Sequence, residues 1–428
     1  MSGNPHPPSL AVHGASPSPL GNRWLIVGLL MVYAALGHFN RVGITVAGDE
    51  MFIPQLGIPE TRMGWVYTAF LIVYTIGMLP AGWLIDRIGS GHALTLFGLT
   101  MGMFVILTGV LGWVTASPES LWIGLLVIRG LAGVCNAPLH PGAAHVVSEV
   151  MPVHRRATAN GMITAGALVG IACCYPAFGW LMDSLSWPGA FVAGGAMLMG
   201  FSLLWMLLAS PSLPRPSVTR SKTVGTPSNA TIPWSLLRQP SLWLITLSYA
   251  AYGYFQYLFF YWMGYYFKEV LHVPDVEARW ASFWIMLAMG AGMAIGGYST
   301  DAVCRWLGTM YGRRTMVLTG MGLGAVFGLI AVNVEGLTSV AACLAISMAA
   351  AGMVEGVFWT TATDIGGKSR GLSGAFMNTG GNAGGLISPA LTPYMAQQIG
   401  WSGSIAVACV ISALGGVVWF WIRPPASS

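Results

Sequence analysis

Between Trp24 and Arg423 the chain is a succession of apolar stretches divided by short polar turns. A bilayer-spanning helix needs roughly 20 mostly apolar residues, and about twelve such stretches fit here. They fall near 24–48, 62–85, 92–114, 118–146, 157–180, 188–210, 238–267, 279–303, 314–334, 337–363, 370–394 and 401–423. Inside lipid every backbone polar group must be satisfied internally, which restricts spanning segments to helices or closed barrels. Runs of this length read as helices. Apolar residues make up 55% of the chain, charged residues 8%, and mean hydropathy is +0.67. Soluble domains carry about a quarter charged residues, so the expected class is an all-α membrane protein with the lipid bilayer, and no nucleic acid, as its surroundings.

A loop between two of these stretches occurs twice. GWLIDRIGSGHALT at 82–95 is echoed by GYSTDAVCRWLGTMYGRR at 297–314, with Gly82 and Gly297 each four residues before an aspartate, Asp86 and Asp301. The duplication predicts two tandem six-helix bundles. The expected boundaries are a tail at 1–22, a first bundle at 23–210, a Pro-, Ser- and Thr-rich linker at 211–237, a second bundle at 238–423 and a tail at 424–428. The first tail lacks the apolar core and small-residue cleavage site of a signal peptide.

Basic residues set the expected orientation. With the amino terminus inside, the outer side holds only Arg62, Lys268 and Arg279, and the remaining loop and terminal Lys and Arg residues fall on the inner side. Both termini are therefore expected in the cytoplasm, with the chain in the inner (plasma) membrane.

Three charges lie inside spans: Arg41, Arg129 and Glu355. An ionised group at mid-bilayer costs at least about 2.5–3.5 kcal/mol and normally faces a cavity or a partner. Arg41 lies about seven residues and Arg129 about eleven from the outer ends of their helices, which at 1.5 Å per residue puts both at a similar level. Two guanidiniums without an adjacent acid suit an anion, and arginine's planar fork suits a carboxylate; Arg129 could instead cap helix carbonyls. Glu355 stands one turn from Trp359 and is a candidate proton carrier or a carboxyl bonded to a neighbouring helix. His38 and His140 are further coupling candidates. Tyr33, Tyr74, Tyr254, Tyr257, Tyr261, Asn378 and Asn382 offer hydroxyl and amide partners for a ligand, and Trp359 offers a stacking surface.

The six cysteines sit in or beside apolar segments and form neither a disulfide framework nor a zinc spacing. Gly367, Lys368 and Ser369 echo a phosphate-binding loop, but position 362 is alanine and the context is a loop between spans. No cofactor, no metal and no enzymatic activity are expected, and without a nucleotide-binding domain any transport by such a chain would be driven by a gradient.

These residues resemble the major facilitator superfamily. GWLIDRIG matches its G-x-L-x-D-R-x-G signature, the weaker copy at 297–314 sits where a second is expected, and IRGLAGVCNAPLHPG looks like its R-x-x-x-G pattern. Within it the chain is similar to the anion:cation symporter family, which moves hexuronates and other sugar acids. The likeness rests on FNRVGITVA at 39–47, TAFLIVY at 68–74, RATANGMITAGALVG at 156–170, FWTTATDI at 358–365 and MNTGGNAGGLISP at 377–389.

The resemblance implies the twelve-helix major facilitator fold, with Arg41, Arg129, Tyr74, Trp359 and Asn378 around the anion and Asp86 and Arg87 at an inner gate; Tyr257 is a further candidate for the anion site and Asp301, in the second copy of the loop, for the gate. The family's usual acids in the first and fourth helices are Asn40 and Asn136 here, the usual basic residue after Gly89 is Ser90, and the antiporter G-P-x-x-G-G pattern is absent. The expectation is a monomeric secondary transporter of a small organic anion, a sugar acid, hexuronate or other carboxylate, working by alternating access with proton symport. A uniporter or anion exchanger without proton coupling, and a transporter-like sensor, are the alternatives.

Overall fold

The computed structural model describes residues 20–213, 234–367 and 370–423. Within them the regular elements are helical: α1 Leu20–Ala47, α2 Glu60–Ile88, α3 Ser90–Val114, α4 Pro118–Asn136, α5 Leu139–Val150, α6 Val153–Leu208, α7 Trp234–Leu237, α8 Pro240–Tyr265, α9 Asp275–Leu307, α10 Thr309–Ala331, α11 Leu337–Gly352, α12 Glu355–Gly366 and α13 Arg370–Val417. Residues 1–19 of the expected first tail, 214–233 of the expected linker and the expected tail 424–428 lie outside the described residues, and with them Arg215, Arg220, Lys222 and Lys368.

The duplicated loop folds the same way twice. Gly89 (φ 84°, ψ 152°) is the sole residue between α2 and α3, and Gly308 (φ 83°, ψ 156°) the sole residue between α9 and α10. Only glycine adopts this backbone conformation without a Cβ penalty. The sequence expectation left several residues to each turn, whereas one left-handed glycine reverses the chain.

Other boundaries differ from expectation for local reasons. The segment expected at 118–146 divides into α4 and α5 at Ala137–Pro138, where proline cannot donate to the helical ladder. The segment expected at 337–363 divides at Met353–Val354 into α11 and α12, so Glu355 opens a helix and does not sit in the middle of one. In the opposite sense, α6 and α13 each run through two expected helices and break only at Ser186 (φ 58°) and Gly400 (φ 76°). By length and hydropathy, eight described stretches could cross a membrane, or nine with α2, whose parts Glu60–Met78 and Pro80–Ile88 meet at 50°. The count falls below twelve because two stretches hold two helices each and the tyrosine-rich α8 is not among them.

Helices α1–α6 pack mainly with one another, α8–α13 likewise, and the two sets meet along α2–α13 and α6–α9. Glycine permits the closest approaches within each set. A Cβ on Gly170 of α6 would overlap the Ala35 carbonyl of α1, and one on Gly384 of α13 the Ala250 carbonyl of α8, the small-residue contact expected between membrane helices. The end at which α2 meets α3 and α9 meets α10 also holds the start of α1 and Arg423: Arg155 lies over Trp24, Ser90 donates to Glu149, and Ser241 donates to the Arg423 carbonyl. We call it the tail end, and the opposite one the far end.

Candidate functional site

A cavity of about 560 Å³ lies between the two helix sets. From the first set it is lined by His38 and Arg41 of α1, Tyr74 and Met78 of α2, His140 and Ala144 of α5, and Thr164 and Leu168 of α6; from the second by Tyr249, Tyr252, Gln256, Tyr257 and Tyr261 of α8, Glu355 and Trp359 of α12, and Asn378 and Asn382 of α13. The structure thus gathers Arg41, Tyr74, Tyr257, Trp359, Asn378, Glu355, His38 and His140 around one space. Arg129, Asn40 and Asn136 lie outside its lining, and Tyr33 and Tyr254 are packing residues: Tyr33 donates to the Leu94 carbonyl at 2.7 Å among Phe97, Phe201 and Trp205, and Tyr254 donates to Met395.

Arg41 is the only lysine or arginine lining the cavity among the described residues. Its guanidinium is framed by aromatic rings, 5.3 Å from the centroid of Phe70, 5.5 Å from Tyr74 and 6.0 Å from Tyr257, and one Nη2–H reaches the Tyr257 hydroxyl at 3.5 Å. Each of the three rings offers a cation–π contact of roughly 0.5–2 kcal/mol. None supplies a formal negative charge, and no described carboxylate pairs with Arg41. The charge is held in place and left available to an anion.

Arg129 stands behind this arrangement. It is 1% exposed, its guanidinium lies 5.4 Å from the same Phe70 ring, and it donates to the backbone carbonyls of Arg41 (2.7 Å) and Asn40 (3.5 Å). The two arginines share one level, as their helix positions require, but one faces the cavity and the other clamps the α1 backbone that carries the first. Asn40 is buried against Gly194 and donates to the Leu36 carbonyl at 3.0 Å, and Asn136 is buried as well. Hydropathy gives depth but not rotation about the helix axis, and these three differ from Arg41 in rotation.

Across the cavity Glu355 accepts hydrogen bonds at Oε1 from the Tyr249 hydroxyl (2.7 Å) and from Trp359 Nε1 (2.9 Å), while its Oε2 is buried without a partner. Tyr249 and Tyr252 were not singled out in the sequence; only their spacing from Tyr257 along α8 hinted at them. A second space of about 430 Å³ between α6 and α9, mostly apolar, shares Thr164, Leu168, Met293 and Glu355 with the first.

The far end is closed by polar contacts between the helix sets. Arg279 of α9 donates to Glu50 through Nε (2.9 Å) and Nη2 (2.6 Å), and to Asp183 of α6 through Nη1 (2.5 Å) and Nη2 (2.9 Å). Glu50 and Arg279 are each 7% exposed at the side chain, so this is a largely desolvated bidentate pair. Lys268 donates to the Asp49 carbonyl at 3.1 Å and pairs with Asp275 at 2.8 Å; Tyr265 donates to Glu60 at 2.5 Å; Thr68 donates to the Leu386 carbonyl at 3.1 Å. Asp49, Glu50 and Lys268 ride on the π-helical turns Gly48–Phe52 and Tyr266–Val270 that end α1 and α8. The far-end lock escaped the sequence reading, although Lys268 and Arg279 were visible there as two of its few basic residues.

Every hydrogen bond between the two sets among the described residues lies at the level of Arg41 or beyond it toward the far end. At the tail end Asp86, Arg87 and Asp301 are exposed, Arg87 stacks on Trp83 of its own helix, and the ion pair Arg313–Asp364 stays within one set. Among the described residues, the polar contacts between the two sets thus gather toward one end of the cavity.

The model of the Major Facilitator Superfamily matches residues 30–310 and 302–428. The chain is 26% identical to the probable galactarate/D-glucarate transporter of Bacillus subtilis (strain 168), over 94% of each protein. It is 23% identical to the D-galactonate transporter of Escherichia coli O6:H1, over 95% of this chain and 96% of that one. Among solved structures it superposes on a bacterial homologue of the human lysosomal transporter Spinster in an inward-facing, unoccupied conformation, with a TM-score of 0.76, 16% identity and coverage of 95% and 98% of the two chains.

Proposed function

The chain belongs to the Major Facilitator Superfamily, and from that premise we propose that it is a secondary active transporter of a small sugar acid with a single carboxylate, carried by alternating access. The observation that carries this reading is Arg41, a framed guanidinium facing the central cavity with no acid beside it. A carboxylate takes its two parallel N–H bonds, while Asn378, Asn382, Gln256 and the tyrosines of α8 meet the hydroxyls. Glu355 lies on the opposite helix set, so a second carboxylate would meet a group of its own kind. The reading therefore favours an aldonate or hexuronate over an aldarate. Relatives named for galactarate/D-glucarate, D-galactonate and hexuronate support the wider sugar-acid class, and the preference for a single carboxylate rests on Glu355 alone.

In this proposal the tail end faces the cytoplasm of a cell whose inner membrane holds the chain, and the conformation is inward-open. Substrate leaves past Met78, Ala144 and Trp359, the halves rock, Asp86, Arg87 and Asp301 approach across the closing tail end, and the Glu50–Arg279–Asp183 contacts release at the far end. Proton symport supplies the driving force. The test is uptake of labelled D-galactonate into proteoliposomes in competition with D-glucuronate and galactarate. Stronger inhibition by the monoanion supports the reading, and preferential inhibition by the dianion rejects the single-carboxylate site.

A further inference from the structure

His38 and His140 come from different helices and meet inside the cavity. Their Nε2 atoms are 3.4 Å apart and their rings meet edge to face with centroids 5.1 Å apart. His38 Nδ1 lies 3.0 Å from the Ala34 carbonyl. A carbonyl only accepts, so Nδ1 carries the hydrogen and His38 Nε2 presents a lone pair. The short approach between the rings then requires His140 to donate from its own Nε2. One basic site remains on the neutral pair, His140 Nδ1. His38 is one turn from Arg41 on α1, and Arg41 is the only lysine or arginine that lines the cavity with the pair among the described residues.

From this arrangement we infer that the His38–His140 pair is the proton-binding site of the transporter, loading one proton together with each anion. The inference rests on the anion-carrier reading above. A bare Arg41 opposes a second positive charge a few ångströms away. An anion on Arg41 removes that opposition, and a proton can then settle on His140 Nδ1, leaving an imidazolium that donates a charge-assisted bond to His38. When the anion departs the repulsion returns and the proton leaves on the same side. Proton and anion therefore favour each other's binding, by the same factor in each direction. The other groups around the pair are Tyr74 on α2, Tyr257 and Tyr261 on α8, and Glu355 on α12, all lining the same cavity. Behind α1 stand Arg129 on α4 and Cys174 on α6, the latter donating to the Phe39 carbonyl. Glu355 lies on the other helix set, its Oε1 held by Tyr249 and Trp359 and its Oε2 unpartnered, so the histidines are the titratable pair on the same helix set as Arg41.

The probe is D-galactonate. Calorimetry of the purified protein in buffers of different ionisation enthalpy should show about one proton taken up per anion, with affinity falling up to tenfold per pH unit on the alkaline side. In proteoliposomes a one-unit inward proton gradient should accumulate galactonate up to about tenfold. His140→Gln and His38→Gln should abolish that accumulation and make galactonate affinity independent of pH on the alkaline side. Melting temperature reports that the variants fold. Galactonate binding without proton uptake by the wild-type protein, or gradient-driven accumulation surviving in both variants, overturns the inference and leaves the anion reading standing. Failure of galactonate, glucuronate and galactarate alike to bind overturns both.

Discussion

The Arg41 guanidinium on α1 reaches the Tyr257 hydroxyl on α8 at 3.5 Å, which makes it the cationic side chain that joins the two helix sets at the cavity. Among the described residues, all other hydrogen bonds between the sets lie at that level or farther from the tail end. A ligand on Arg41 is therefore placed between the two helix sets, and under the proposed alternating access the contacts beyond it would decide which side has access.

That lock should be breakable from one residue. Removing one partner of a buried ion pair costs about 3–5 kcal/mol because a charge is stranded, and Glu50→Gln or Arg279→Ala does this at the far end. A cysteine at Ser282, buried in the pocket beside Arg279, would report it in a background without the native cysteines. Labelling by a membrane-impermeant maleimide should rise at least about tenfold in either variant, and unchanged labelling would show that these contacts do not hold the end shut.

Gly179 tests the same lock by volume alone. A Cβ there would overlap the Arg279 guanidinium, so Gly179→Ala should push Arg279 off Glu50 and raise Ser282→Cys labelling without any change of charge. Gly161 has open space where its Cβ would go, and Gly161→Ala should leave labelling at the wild-type rate.

Arg129 should behave as a support for the site. Arg129→Ala removes an additional charged donor from the buried carbonyls of Asn40 and Arg41, which keep their helical N–H partners, at about 1.5–3 kcal/mol. The expected result is a melting temperature lower by several degrees, with galactonate affinity reduced less than in an Arg41 variant. A loss of affinity equal to that of Arg41→Ala at unchanged melting temperature would move Arg129 into direct contact with the anion.

The duplicated glycines should be equivalent. Gly89→Ala and Gly308→Ala each force a Cβ onto positive-φ backbone that essentially only glycine adopts, a cost of about 1–3 kcal/mol. The two sit in different helix sets, so their effects on thermal stability should add in the double variant. A neutral result at either position would mean that the turn has another way to close.

The sequence made the helical architecture legible because long apolar runs admit no other fold in lipid, and the Gly-x-x-x-Asp loops marked where the chain turns. It also brought together Arg41, Tyr74, Tyr257, Trp359 and Asn378, since polar groups at mid-span have few places to go. It placed Arg41 and Arg129 at one depth and offered helix carbonyls as an alternative partner for Arg129, which is the role that the structure gives it, but it did not show which of the two faces the cavity, because the face a residue presents is fixed by packing. The lock at the far end was out of reach for another reason. Glu50 and Arg279 are 229 residues apart in sequence, and either one taken singly looks like a solvated loop charge. The breaks at Pro138 and at Met353–Val354, which set the directions of His140 and Glu355, fall inside long segments whose mean hydropathy does not divide them.

The most direct test of the account is galactonate binding to purified wild-type protein, Arg41→Lys and Arg41→Ala, followed by calorimetry or by quenching of Trp359. Arg41→Ala removes a charge-assisted carboxylate contact worth about 1.5–3 kcal/mol, so affinity should fall roughly 10- to 150-fold, and Arg41→Lys, which keeps the charge but loses the fork, should fall between the two. Affinity for galactonate within about twofold of wild type in the alanine variant, at unchanged melting temperature, would contradict the claim that this guanidinium holds the anion.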